Sequence, residues 1–190
     1  MLATARQIRF TVDEYFKMSD AGVFDGRRVE LIEGRIYRTH AQAHPHRWAV
    51  SKARHAFDER FPRDKFWVVV QSTLPLGLYG APEPDVHVFA VPEGTAEEQL
   101  PKPFVVVEVS DKSYRKDSGA KLRQYASAGI RDYWIVNLAE RQIEVYRVPE
   151  NPTRKRRDWR YAERKVYRPG DKVKLLEYPR IAIAVDDILP

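Results

Sequence analysis

Phe104-Val105-Val106-Val107-Glu108-Val109-Ser110 is the most apolar run in the chain, and a single charge interrupts it. A run of β-branched residues without polar alternation reads as a central strand covered on both faces. Alternation along that strand puts Glu108 on the face opposite Val107 and Val109. An ionised carboxylate in such a place is costly unless it is paired or ligates a metal. The residue alone leaves both readings open: an ion pair with a nearby arginine at the strand's end, or a cation ligand.

The next strand upstream is Val86-His87-Val88-Phe89, entered through Pro84-Asp85 after a Gly/Pro loop. Proline suits a strand entrance, and Pro-Asp also favours turns, so Asp85 alone reads as a turn-former. Sequential strands are usually neighbours, which would let Asp85 and Glu108 face each other across a ladder. Two carboxylates plus water is what Mg²⁺ usually takes from a protein that binds phosphate. Downstream, residues 117–128 read as a helix stopped by Gly129. Asp117, Lys121 and Tyr125 share one stripe of it. A helix following the Glu108 strand folds back over the sheet, so Lys121 is placed to reach the carboxylates.

Farther out, Thr11 and Glu14 form a capping box at the start of a short helix. Residues 28–32 and 35–38 flank Glu33-Gly34 as a β-hairpin. Residues 46–61 read as a helix, with Ala49, Ala53, Phe57 and Phe61 at four-residue spacing and Pro62 at its end. Residues 66–70 form a strand, and 133–136 with 142–146 a strand pair. Two short strands close the chain near 173–176 and 181–185. This order gives one α/β domain over residues 1–190, with a mixed sheet flanked by helices and no regular βαβ alternation.

With 43% hydrophobic and 32% charged residues, the composition is that of a globular domain. No apolar run approaches the roughly 20 residues of a membrane helix. The first six residues show no apolar signal core. The chain has no cysteine, which excludes disulfides and thiolate metal sites and makes the cytoplasm the expected compartment. A net charge of +6 suits a polyanionic partner. Much of that charge lies between Arg154 and Lys165. Arg154, Lys155, Arg156, Arg157 and Arg160 read either as a phosphate-contacting patch, with Trp159 and Tyr161 packing on sugar or base, or as a solvated loop or strand edge. His40, His44 and His46 invite a zinc reading, which Pro45 and the lack of cysteine oppose.

Pro84-Asp85, Glu108-Val109 and Lys121 on the following helix together resemble the PD-(D/E)XK nuclease superfamily. Its simplest motif has lysine two residues after the acid. Ser110 stands there, so the lysine must come from elsewhere. The chain more specifically resembles the Uma2 family (DUF820). The stretches are residues 29–34, His46, 82–86, 107–110, Asp117, Lys121, Tyr125 and 128–136. One departure is Ser110-Asp111-Lys112-Ser113, which makes Lys112 a rival to Lys121.

The resemblance implies a restriction-endonuclease-like fold and hydrolysis of phosphodiester bonds with Mg²⁺, or Mn²⁺ in its place. Asp85, Glu108 and the Val109 backbone carbonyl would hold the metal, and Lys121 would act on the attacking water. Glu30 matches a family acid that could hold a metal water or second metal. Its plainer reading is a hairpin ion pair with Arg27 or Arg28. Gln71 and His46 would support the site. The expected substrate is nucleic acid, with DNA foremost. The alternative is a catalytically inactive nucleic-acid-binding module or an interaction protein with the same fold. A homodimer is a further expectation, because edge strands need covering.

Overall fold

Described in the computed structural model are residues 7–39, 42–92, 94–95 and 101–190. The N-terminal reading of residues 1–6 and His40 of the zinc reading lie outside them. Among the described residues lie three helices and ten strands. They are α1 (Val12–Asp20), β1 (Val29–Ile32), β2 (Arg35–Arg38), α2 (His44–Asp58), β3 (Phe66–Val70), β4 (Val86–Ala90) and β5 (Val105–Ser110). Next come α3 (114–127), β6 (Asp132–Asn137), β7 (Gln142–Glu150), β8 (Arg160–Tyr167), β9 (Lys172–Lys174) and β10 (Ala182–Ala184). No helix among the described residues is long and apolar enough to cross a membrane.

The main sheet has the order β3-β4-β5-β6-β7-β8. Only β5 and β6 are parallel, and α3 makes the crossover between them. Every residue of β5 is buried, as its unbroken apolar run requires. Val86, Val88, Val105, Val107 and Val109 face α2, whose Ala49, Ala53 and Phe57 meet them. On the other face Val106, Tyr133 and Ile135 pack against Tyr125 and Ala126 of α3. The sheet is therefore sandwiched between two helices, the mixed α/β arrangement read from the sequence.

The Thr11–Glu14 capping box is present. The β1–β2 turn has both central residues in the left-handed region, Glu33 at φ 52° and Gly34 at φ 79°. That geometry twists with the flanking strands, and glycine adopts it without strain.

Two local readings change. Pro45 does not break the segment around it. It sits in the first turn of α2, where a missing N–H costs no hydrogen bond. Helix α3 begins three residues earlier than the 117–128 read from the sequence, and its middle, Asp117–Lys121, is π-helical. The basic run lies on a loop and a strand edge, the plainer of its two sequence readings. Arg156–Asp158 forms a single 3₁₀ turn, and Arg160 starts β8, the edge strand on β7.

Candidate active site

Antiparallel register pairs Val86 with Val107, so one step further Asp85 lies opposite Glu108. Asp85, Glu108, Lys121, Glu30 and Asp117 are all buried. They meet at a cleft of about 680 Å³, which Val109, His46, Arg28, Arg38, Lys112 and Lys116 also line.

Asp85 is held by four donors. The Val109 N–H donates to Oδ2 at 2.9 Å, and His46 Nε2 lies 3.2 Å from the same oxygen. Gln71 Nε2 and Gln42 Nε2 donate to Oδ1 at 3.2 and 3.4 Å. His46 projects from the first turn of α2, and Gln71 takes a left-handed backbone, φ 50°, just after β3. Both supporting residues thus touch Asp85 directly, and Gln42 joins them.

Glu108 Oε1 accepts from Lys121 Nζ at 2.8 Å and from the Tyr125 hydroxyl at 2.6 Å. Its other oxygen, Oε2, receives no hydrogen bond among the described residues, while Glu108 lines the cleft. Lys121 therefore reaches the acid from α3, as its stripe position indicated. Lys112 lines the cleft without an ion pair among the described residues.

Glu30 corrects the sequence reading. Its partners are not Arg27 or Arg28. Lys121 Nζ lies 2.7 Å from Oε1 and Lys116 Nζ 2.8 Å from Oε2. The Glu83 N–H adds a third contact, to Oε1 at 3.0 Å. Arg28 pairs with Glu83 instead. Both Glu30 oxygens are committed to lysines, so it can meet a metal only by releasing them.

The π-helical segment explains how one helix serves three acids. Asp117 turns toward the end of β5, where Ser110 Oγ donates to it at 2.5 Å and Ser113 adds a second hydroxyl. Lys121 and Tyr125 stay on Glu108. A wider turn at a functional cluster is a known use of π geometry. Lys116 and Gln42 were not found from the sequence. No apolar periodicity marks the first turn of α3, and Gln42 lies in an irregular stretch.

Four carboxylates, Asp85, Glu108, Asp117 and Glu30, face two ammonium groups, Lys121 and Lys116. Burial pushes Glu30 up, but the two lysines outweigh it and hold Glu30 down at about 2. Glu108 goes the other way. Complete burial, with Asp117, Asp85 and Glu30 nearby, raises it to about 8 despite Lys121. One ammonium shared between carboxylates cannot keep all of them ionised at ordinary cost. Near neutral pH the Glu108 proton offsets part of the negative charge, and a divalent cation could take its place. The donors it would meet are hard oxygens from Asp85, Glu108 and the Val109 peptide. No group of three or more His, Cys, Asp or Glu side chains forms a metal cage among the described residues. Mg²⁺ needs none, since it keeps several waters and takes one or two carboxylates plus substrate phosphate.

The basic run does not join this cleft. Arg160 pairs with Glu150 at 2.7 Å, and Arg154, Lys155 and Arg157 are exposed away from it. Tyr161 is committed to the core, its hydroxyl donating to the Ile130 carbonyl at 2.9 Å, so it cannot stack on a base.

The model of the Uma2 family, described as "Putative restriction endonuclease", matches residues 12–186. The chain belongs to the Uma2 family. A solved Anabaena variabilis protein, titled a "putative nuclease belonging to DUF820", shares its fold. Their TM-score is 0.68 at 16% identity, over 94% of this chain and 97% of that one. Comparison with curated proteins finds no match. Membership places this Uma2 chain among restriction-endonuclease-like proteins, and the cleft lies where its sheet and crossover helix bring the acids together.

Proposed function

We propose that this Uma2 protein is a Mg²⁺-dependent endonuclease that hydrolyses phosphodiester bonds in DNA, with Mn²⁺ able to replace Mg²⁺. The observation that carries the reading is the meeting of Asp85 and Glu108 from paired strands at one cleft, with Lys121 bonded to Glu108. Asp85 and Glu108, with the Val109 carbonyl, would hold the cation. When bound, it supplies Lewis-acid polarisation of the phosphate and a water of lowered pKa.

The remaining work belongs to side chains. Val109 N–H, His46 and Gln71 fix the Asp85 carboxylate in one orientation. Glu30 and Glu108 hold Lys121 between them, fully charged, where it can orient a water and offset charge gathering on the phosphorus oxygens. Arg28, Arg38, Lys112 and Lys116 line the cleft wall and attract the polyanion. The lack of cysteine suits a reducing compartment such as the cytoplasm.

Titration of wild type and Asp85→Asn with Mg²⁺ in the presence of plasmid tests this. Wild type should nick the plasmid and gain roughly 2.7 kcal/mol of stability at a hundredfold excess over Kd. Asp85→Asn should lose both responses. Cleavage by Asp85→Asn at the wild-type rate removes the site assignment. Salt-sensitive DNA binding with no response to Mg²⁺ favours the inactive binding module instead.

A further inference from the structure

A second cationic site lies at the far end of the β1–β2 hairpin, outside the cleft. Arg9 Nε and Arg156 Nη1 come from opposite ends of the chain and donate to one carbonyl, that of Glu33, at 3.0 and 3.2 Å. Arg9 lies over the Tyr79 ring, 3.6 Å from its centroid. The Glu33 carboxylate is already occupied, since Arg123 grips it with two hydrogen bonds of 3.2 and 2.9 Å. Arg9, Arg156, Glu33 and Tyr79, with Gln124 and Ser127, line a pocket of about 230 Å³. Its two cations face one acid among the described residues, Glu33, which Arg123 also binds from outside the lining.

Like charges gathered on one carbonyl repel each other, and the Glu33 carboxylate, 4.0 Å from Arg156 Nη1 but gripped by Arg123, offsets only part of that. Burial, and next the Arg156 charge, hold Arg9 below its ordinary range. The arrangement is nonetheless rigid. Phe10 N–H donates to the Gly34 carbonyl at 2.9 Å, and Gly34 N–H donates to the Tyr79 carbonyl at 2.7 Å. A Cβ at Gly34 would come within 2.8 Å of Arg9 Cβ, so only glycine lets Arg9 lie on the turn.

One element runs from beside this pocket to the cleft with a cation at each end. On α3, Lys116 bonds Glu30 at the cleft and Arg123 bonds Glu33 at the turn, about 10 Å apart at ~1.5 Å per residue. With a rise of about 3.4 Å per nucleotide, that span is roughly three steps of a nucleic-acid strand.

We propose that the Arg9–Arg156 pocket anchors a backbone phosphate of the nucleic acid, roughly three nucleotides from the scissile bond. This rests on the nuclease reading of the cleft. It also gives the basic run a role, through Arg156 and its exposed neighbours Lys155 and Arg157 rather than through the cleft.

The test is fluorescence anisotropy of a labelled DNA duplex over a KCl series in EDTA, with wild type and an Arg9→Gln/Arg156→Gln double variant. The variant should bind about tenfold more weakly, and the slope of log K against log salt should flatten by roughly 1, as for one lost phosphate contact. Its Mg²⁺-linked rise in melting temperature should persist, which separates the anchor from the metal site. If the double variant melts early, Arg156→Gln alone repeats the measurement, because Arg156 is exposed. Wild-type affinity and slope in the variants would overturn the anchor while leaving the nuclease reading in place. Failure of wild type to bind duplex or cleave plasmid would overturn both.

Discussion

Glu108, held at about 8 by burial and its acidic neighbours, makes cation binding depend on pH. The metal takes the ionised carboxylate, so each bound ion displaces a proton below that value. Mg²⁺ affinity should rise about tenfold per pH unit up to about 8 and then level off. Stability of the metal-free protein should move the opposite way. A carboxyl whose folded pKa is raised contributes stability in full below its unfolded value, near 4.5, and loses it as pH climbs through about 8. Calorimetric titration across pH 6–9 checks both, and a flat Mg²⁺ affinity over that range would contradict this account of Glu108. Lys121→Met should carry the levelling point to higher pH. It should also cost roughly 3–5 kcal/mol in a denaturant titration, because it leaves buried Glu108 without a cation and Glu30 with Lys116 alone.

At the scale of elements, the π-helical segment Asp117–Lys121 decides which way the front of α3 faces. A π turn adds one residue to an α-helix, so removing one residue should restore α geometry. Tyr125 and Ala126 would stay packed on the sheet, and everything before the deletion would rotate by about 100°. Deleting Gly119, beside which a Cβ would meet nothing within 4 Å, is the cleanest choice. Far-UV circular dichroism should be preserved, while the Lys116–Glu30 and Tyr114–Glu144 contacts and Mg²⁺-dependent cleavage are lost. Wild-type cleavage by the deletion variant would show that the wider turn is dispensable. This segment also marks the limit of sequence reading. Strand alternation exposed Glu108 as anomalous, and helical spacing put Lys121 near it, because both follow from regular geometry. Lys116 and the double commitment of Glu30 depend on an irregular turn and a hairpin docked from far away in sequence, so no local period encodes them.

At the scale of the whole molecule, the last twenty residues matter more to the cleft than their distance from it implies. The sequence shows them only as two short strands. In the fold, β9 and β10 make a small sheet of their own, and Val173, Leu175, Ile183, Val185, Ile188 and Leu189 complete the core on the α2 side. The tail is also stapled to α2 and to the turn that follows it. Lys52 Nζ donates to the carbonyls of Asp186 and Leu189, Arg60 Nε to that of Ala182 at 3.1 Å, and Arg60 pairs with Asp187 at 2.6 Å. Asp132 ties the same segment to β6 by accepting from Leu176 N–H at 2.9 Å. Six buried aliphatic side chains at roughly 1.5–3 kcal/mol each amount to about 10 kcal/mol or more. That rivals the roughly 5–15 kcal/mol by which a whole domain is stable. A chain ending at Tyr167 should therefore show no cooperative thermal transition and should bind a hydrophobic dye. A milder cut, removing only Leu189 and Pro190, should leave a cooperative but lower melting point. Because α2 carries His46 against Asp85, that shortened chain should also bind Mg²⁺ more weakly although every cleft residue is intact. A cooperative transition at the wild-type temperature for the chain ending at Tyr167 would mean that the α2 face closes without its tail.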